Sequence, residues 1–182
     1  MNTGVFPMEM WEKYGIAGYN IASYGNTLPI TYWALQNALD YAKPKLVVLD
    51  VQGVSKSYKL SGNSSDVHTA FDCYSISKTK SEALDDLMDD PNAVDDDGVA
   101  YVDMKWEYLF TLGKYHARWS ELTDTDFHPV YNREKGAKSV IAVADVGDYD
   151  LIDEDMATEE SGQTGFVYLR KIIEDCQARG ID

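Results

Sequence analysis

Between Tyr14 and Gly53 the apolar positions change rhythm twice, and the rest of the chain is read around that change. Residues 16–22 (IAGYNIA) are small, β-branched or aromatic, and Ser23-Tyr24-Gly25-Asn26 follows with residue types that tolerate a tight turn, so the pattern predicts a strand and then a turn. From Leu28 the apolar positions Leu28, Tyr32, Leu35, Leu39 and Ala42 step by three and four along one helical face. Pro29 stands in the first turn, where its missing N–H costs nothing, and Lys43-Pro44 stops the helix. Lys45–Val51 (KLVVLDV) is a nearly continuous apolar run of strand length, the pattern of a parallel strand covered on both faces. One strand–helix–strand crossover predicts an α/β fold: a three-layer, mostly parallel sheet flanked by helices. An active site in such a sheet lies at the carboxyl ends of its strands, beside residues 23–26 and 50–53.

The flanking segments add helices. PMEMWEKYG near the start reads as a short helical turn, and the chain looks as though it begins inside a loop. Residues 54–66 are rich in Ser, Gly and Asn and read as a loop over the sheet edge, while residues 67–76 are ambiguous in period. Ser77–Met88 opens on an N-cap residue and continues as a helix ending before Pro91. Residues 100–122 carry the longest helical pattern, with Trp106, Leu109, Phe110, Leu112, Tyr115 and Trp119 as an apolar stripe expected in the core. Thr123 caps a turn, Lys138–Ala144 reads as a short strand, and Gly165–Arg179 is a helix capped by Gly180. Ile181-Asp182 reads as the first step of another strand.

Composition fits one domain over 1–182: 182 residues, 45% hydrophobic, can bury an ordinary core. No run approaches the ~18 apolar residues of a membrane span, and no basic-then-apolar leader opens the chain, so this chain alone is expected to be soluble. The net charge of −15 is local. Two acidic stretches, read as solvated loops over about 82–98 and 145–162, hold 16 of the 31 acids, leaving 15 against 16 bases elsewhere. Nucleic acid and anionic lipid are therefore not expected partners, because a phosphate backbone needs a basic surface. Cys73 and Cys176 lack metal-ligand spacing and read as unpaired small hydrophobes.

Few residues offer chemistry. Ser23 lies at a strand-to-helix turn but without a Gly-x-Ser-x-Gly frame, and reads as a turn residue. His116 sits within a helical pattern and His128 precedes a proline; His68, in SSDVHTAFD, lies on the segment expected to pass over the site and is the candidate for a substrate-facing role. No His-x-x-x-His, Cys-x-x-Cys or EF-hand loop is present, so neither a metal nor a cofactor is expected.

The blocks WEKYGIAGYNIASYGNTLPITYWALQNALDYAKPKLVVLDV, HTAFDCYSISKTKSEAL, YLFTLGKYHARWSELTDTDF and YLRKIIEDCQARGI resemble bacterial SGNH-type (GDSL-like) hydrolase domains. The likeness is greatest to the membrane-tethered group similar to the D-alanyl transfer protein of teichoic-acid modification and to alginate O-acetyltransferase-like proteins. The resemblance implies an esterase or O-acyltransferase acting on a cell-surface glycan or acyl-ester substrate, extracytoplasmic and membrane-associated in its full length. It also implies that the nucleophilic serine would lie before Met1 and the Asp-x-x-His block beyond Asp182, so no catalytic residue is assigned here. Within the chain, Gly25 stands where the family offers an oxyanion N–H, and Gln52 is the nearest match to its amide donor. Losing one such donor typically costs ~10²–10³-fold in rate.

A second expectation competes with acyl transfer: a non-catalytic binding or assembly module that uses the cleft without chemistry. An unfinished sheet would also leave unpaired edges, through which copies of the chain could form a homo-oligomer.

Overall fold

The computed structural model describes residues 4–51, 53–128, 134–137 and 163–182. Among these the regular elements are helical: α1 (Pro7–Tyr14), α2 (Leu28–Leu39), α3 (Ser64–Phe71), α4 (Lys78–Leu87), α5 (Tyr101–Leu109), α6 (Thr111–Tyr115), α7 (Asp124–Phe127) and α8 (Thr164–Arg179). A 3₁₀ stretch, His116–Glu121, joins α6 towards α7. Among the described residues an isolated antiparallel bridge joins Val94 with Ala100.

The expected parallel sheet is therefore overturned. Residues 16–22 and 45–51 leave the helical regime as read, but among the described residues neither extends into a ladder: Asn20 N–H donates to Lys135 O, and 45–47 bonds to Asp182 alone. A strand is a cooperative object: without a partner along its edge, its N–H and C=O groups face water and the sheet does not exist. What the apolar run at 45–51 does retain is a partly buried side, described below.

Local signals place the helices. Thr27 caps α2, accepting from Ile30 N–H while its own hydroxyl donates to Lys59 O at 2.5 Å. Ser77 caps α4 through Lys80 N–H at 3.1 Å, and Gly180 ends α8 in the left-handed region at φ 66°. Residues 67–71, ambiguous in period, belong to α3, which starts at Ser64 under the cap of Asn63. The acidic stretch from residue 82 is not all loop either: Glu82–Leu87 lies within α4.

Two clusters form the core. Phe71, Leu84, Leu87, Met88, Tyr101 and Tyr108 pack α3, α4 and α5 together with Ile30 of α2. Leu28 and Leu35 on the other side of α2 meet Val54 and Tyr168 and Ile172 of α8. Each fully buried Leu, Ile or Phe contributes about 1.5–3 kcal/mol, so α2, which serves both clusters, is the central element. Gly165 lets α8 begin flush against the chain at 53–56: a Cβ there would stand 2.1 Å from Val54 O.

The long helix expected over 100–122 breaks at Phe110, whose φ and ψ are −122° and 73°. The face buried on α5 is Tyr101, Met104 and Tyr108, whereas Trp106, Phe110, Leu112, Tyr115 and Trp119 are exposed. Apart from Leu109, which packs partly buried against the first cluster, the apolar stripe assigned to the core is thus an outer surface. Residues 110–127 contain no buried side chain. The segments expected as a strand at 138–144 and a loop at 145–162 lie outside the described residues.

Candidate functional site

Three features could act on another molecule, and the first is the run 45–51. Its side chains alternate: Val47 and Leu49 pack against the α2–α8 cluster, while Leu46 is 62% and Val48 66% exposed. Such alternation marks strand-like backbone. One edge is started. Val47 N–H donates to Asp182 O at 2.8 Å, and Asp182 N–H donates to Lys45 O at 3.0 Å. One residue bonded to the neighbours on either side of its opposite number is the pattern of a parallel pair. Successive residues of a strand send their N–H and C=O to opposite edges, so the groups of Leu46 and Val48 point away from Asp182; among the described residues they have no hydrogen-bond partner.

The second feature is the turn after residues 16–22. Gly25 adopts φ +67°, and a Cβ built on it would lie 2.2 Å from Asp66 Oδ2. The carboxylate of Asp66, on α3, thus rests against the glycine read as an oxyanion donor. Beside it, Ser23 Oγ and Asn26 Oδ1 are buried without a partner. Asn20 anchors the preceding segment, donating from Nδ2 to Val5 O at 3.1 Å and accepting Ala22 N–H on Oδ1 at 3.0 Å. Gln52 lies outside the described residues.

The third surrounds His68, which stands on α3 and is 6% exposed. Its Nδ1 lies 2.9 Å and 3.0 Å from the two oxygens of Asp72, one helical turn on. Its ring stacks on Tyr108 with centroids 4.0 Å apart. Its Nε2 meets the Lys114 ammonium from α6. An ammonium has only donors, so towards Lys114 Nε2 can act only as an acceptor, which leaves Nδ1–H to donate to Asp72. Tyr115 donates its hydroxyl to Asp72 Oδ2 at 2.5 Å, and burial followed by this bond pushes its pKa up to about 12. The Tyr108 hydroxyl is buried and unpartnered.

Of the described residues singled out in the sequence, His68 is the one with a charged partner in an oriented pair. The signal for Asp72 was available, since a His and an Asp four apart share a helical face. Lys114, Tyr108 and Tyr115 come from distant sequence, and no local pattern announces them. His116 bonds Gly113 O within its own turn, and His128 is exposed at the end of α7. Beside Lys114 a shallow depression of about 450 Å³ is lined by Ile76, Trp106, Leu109 and Phe110. No group of three or more His, Cys, Asp and Glu side chains among the described residues could hold a metal ion, and Cys73 and Cys176 are free thiols. No helix among the described residues is long and apolar enough to cross a membrane.

Comparison with known proteins gives no matching family model, no matching curated protein and no matching solved structure.

Proposed function

We propose that this chain is a non-catalytic assembly module, which presents residues 45–51 on its α2–α8 layer as a strand to be completed by a strand of another polypeptide. The observation that carries the reading is the pair of backbone bonds between Asp182 and Lys45 and Val47. The run accepts a neighbour on one edge, while among the described residues the backbone groups of Leu46 and Val48 have no hydrogen-bond partner on the other. Addition of a strand to such an edge draws affinity from main-chain bonds and specificity from alternate side chains.

The acyl-transfer reading rests on the resemblance to SGNH-type hydrolases, and one geometric feature favours it. Asp72 orients His68 as the acid of a triad orients its base. The same site weighs against turnover, because Nε2, the nitrogen that would take a nucleophile's proton, faces the Lys114 ammonium. The assembly reading is therefore preferred.

Two measurements test it. Hydrogen exchange followed by NMR should show the Leu46 and Val48 amides gaining protection when a synthetic peptide of alternating Val and Thr is added. Exchange at unpaired rates in saturating peptide would overturn the module. Hydrolysis of p-nitrophenyl acetate should stay at the rate of buffer, and turnover like that of an intact serine esterase would restore the enzyme reading.

A further inference from the structure

We infer that Lys114 is a covalent capture site for neutral apolar aldehydes: its amine condenses with the aldehyde carbon to a protonated imine, and His68 relays the proton. The site is built from α3, α5 and α6, shares no residue with the 45–51 edge, and does not rest on the assembly reading.

The nitrogen that would serve a serine faces an amine instead. Lys114 is exposed and its ammonium donates to His68 Nε2, while His68 Nδ1–H donates to Asp72 at 2.9 Å. A nucleophile bonded to a base, with that base bonded to a third group that orients it, is the arrangement that activates a side chain for covalent chemistry; the reaction open to a lysine amine is imine formation with a carbonyl carbon. The ring is held still, stacked on Tyr108, and Asp72 is itself fixed by the Tyr115 hydroxyl. An ammonium has no lone pair and attacks only after giving up a proton, and Nε2 stands where it can take it.

The step balances within the site. Nε2 takes one proton from the ammonium, the freed lone pair forms a C–N bond to the aldehyde carbon, and the carbonyl π pair moves to oxygen. A second proton passes from nitrogen to that oxygen, giving a carbinolamine. His68 then returns its proton to the hydroxyl, the C–O bond breaks and water leaves. The protonated imine carries the charge the ammonium had, and no oxidant or reductant enters. One copy captures one molecule without turnover.

The depression that Lys114 lines sets the class of aldehyde. Its volume of about 450 Å³ lies in the range of small-molecule sites, and Ile76, Trp106, Leu109 and Phe110 give it apolar walls. The acid among its lining residues is Glu107, and the whole chain carries a net charge of −15. Both oppose a carbonyl compound that bears its own carboxylate. A neutral aldehyde with an apolar body meets no such repulsion, and it covers Trp106 and Phe110, which are otherwise 76% and 50% exposed.

The test treats the full chain with octanal and sodium cyanoborohydride, which fixes imines as secondary amines, and reads the modified lysines by peptide mass spectrometry. Lys78, whose side chain is 87% exposed, is the reference. Labelling should favour Lys114 over Lys78 by ~10²-fold, the lower end of what a placed acid–base group supplies. With glyoxylate, an anionic aldehyde, the preference should vanish. His68→Gln keeps an acceptor for the ammonium but relays no proton, and should bring Lys114 down to the level of Lys78. Asp72 is a positioning residue: Asp72→Asn should slow capture and, in the imidazole nitrogen NMR spectrum, move the proton from Nδ1 to Nε2. Trp106→Glu, at a side chain outside the core, should lower octanal labelling at Lys114 and leave acetaldehyde labelling as it was. Circular dichroism of each variant checks that the helices are retained. Octanal labelling spread equally over Lys114 and Lys78, or a preference for Lys114 that His68→Gln leaves intact, overturns the inference. A preference that persists with glyoxylate or survives Trp106→Glu overturns the apolar aldehyde as its ligand.

Discussion

Tyr168 on α8 donates its hydroxyl to Asp86 Oδ2 on α4 at 2.5 Å, and the same oxygen accepts Trp33 Nε1–H of α2 at 2.7 Å. One carboxylate thus joins three helices at the seam between the two apolar clusters. Lys59 completes the set, donating to Asp86 O at 2.6 Å and to its Oδ1 at 3.2 Å.

Asp86→Ala should cost about 3 kcal/mol, because it leaves the donors of Trp33 and Tyr168 unmatched, while Lys59 keeps Asp86 O and Asp89 Oδ2. Thermal unfolding should fall by roughly 10 °C for a chain of this size. Tyr168→Phe, which removes one donor, should cost less.

The same residue sets an acid response. Burial alone would raise its carboxyl pKa, but the bonds from Tyr168, Trp33 and Lys59 outweigh that and hold it below the ordinary range. The folded state then binds fewer protons than the unfolded state. Its stabilisation is fully present above the unfolded carboxyl pKa of about 3.9 and is lost as pH falls through the lower folded value. Denaturant titrations at falling pH should show a shallower loss for Asp86→Ala than for the parent.

Gly25→Ala meets two obstacles, a left-handed backbone and the Asp66 carboxylate. The backbone term is worth about 1–2 kcal/mol. Adding Asp66→Ala should recover the steric part and leave the backbone part, and a double-mutant cycle in urea would separate them. Full recovery would show that the φ imposes no strain.

Lys114→Ala with Tyr115→Phe should free the arm 110–127, which buries none of its own side chains and is tied to α3 by the His68 and Asp72 contacts. Amide exchange over the arm should accelerate while global stability moves by no more than about 0.5 kcal/mol. Unchanged exchange would mean that other contacts hold it.

Lys80 is 1% exposed, and its ammonium donates to Tyr74 O at 3.1 Å. Burial lowers its pKa, with Asp72 and Cys73 opposing the shift. Lys80→Met should be neutral or stabilising by about 1 kcal/mol at neutral pH, where the folded parent carries a desolvated charge. The depressed folded pKa makes the parent gain stability as pH climbs towards the unfolded lysine pKa of about 10.4, so the difference between the two should close there. Urea unfolding at neutral and alkaline pH checks the sign.

The helices were legible wherever a cap and a periodic face coincided, as at Ser77 for α4 and at Gly180 for α8. The break at Phe110 was not, because apolar residues run through it on every face: the stripe from Trp106 to Trp119 has the right spacing, yet burial falls on Tyr101, Met104 and Tyr108. The sheet misled for a different reason. A run such as KLVVLDV reports that a segment suits a strand, whereas a ladder depends on a second segment that periodicity does not name. Asp182 shows how little of that second segment the described residues supply. Of the site residues, His68 was found as a lone histidine in a polar stretch; its meaning came from Lys114 and Tyr115, brought to it by tertiary packing.

The division of the interior into two clusters also bears on how the protein is made. Everything in the first cluster has emerged from the ribosome once Tyr108 is out, whereas the second waits for Tyr168 and Ile172. Through that interval Leu28 and Leu35 of α2 have Val54 but lack the α8 half of their cluster, and Gly165 has yet to seat on residues 53–56. Nascent chains halted shortly after α5 should therefore resist protease over 60–109 while remaining open to chaperone capture along α2. Addition of α8 should close α2 to the chaperone while the protection over 60–109 persists.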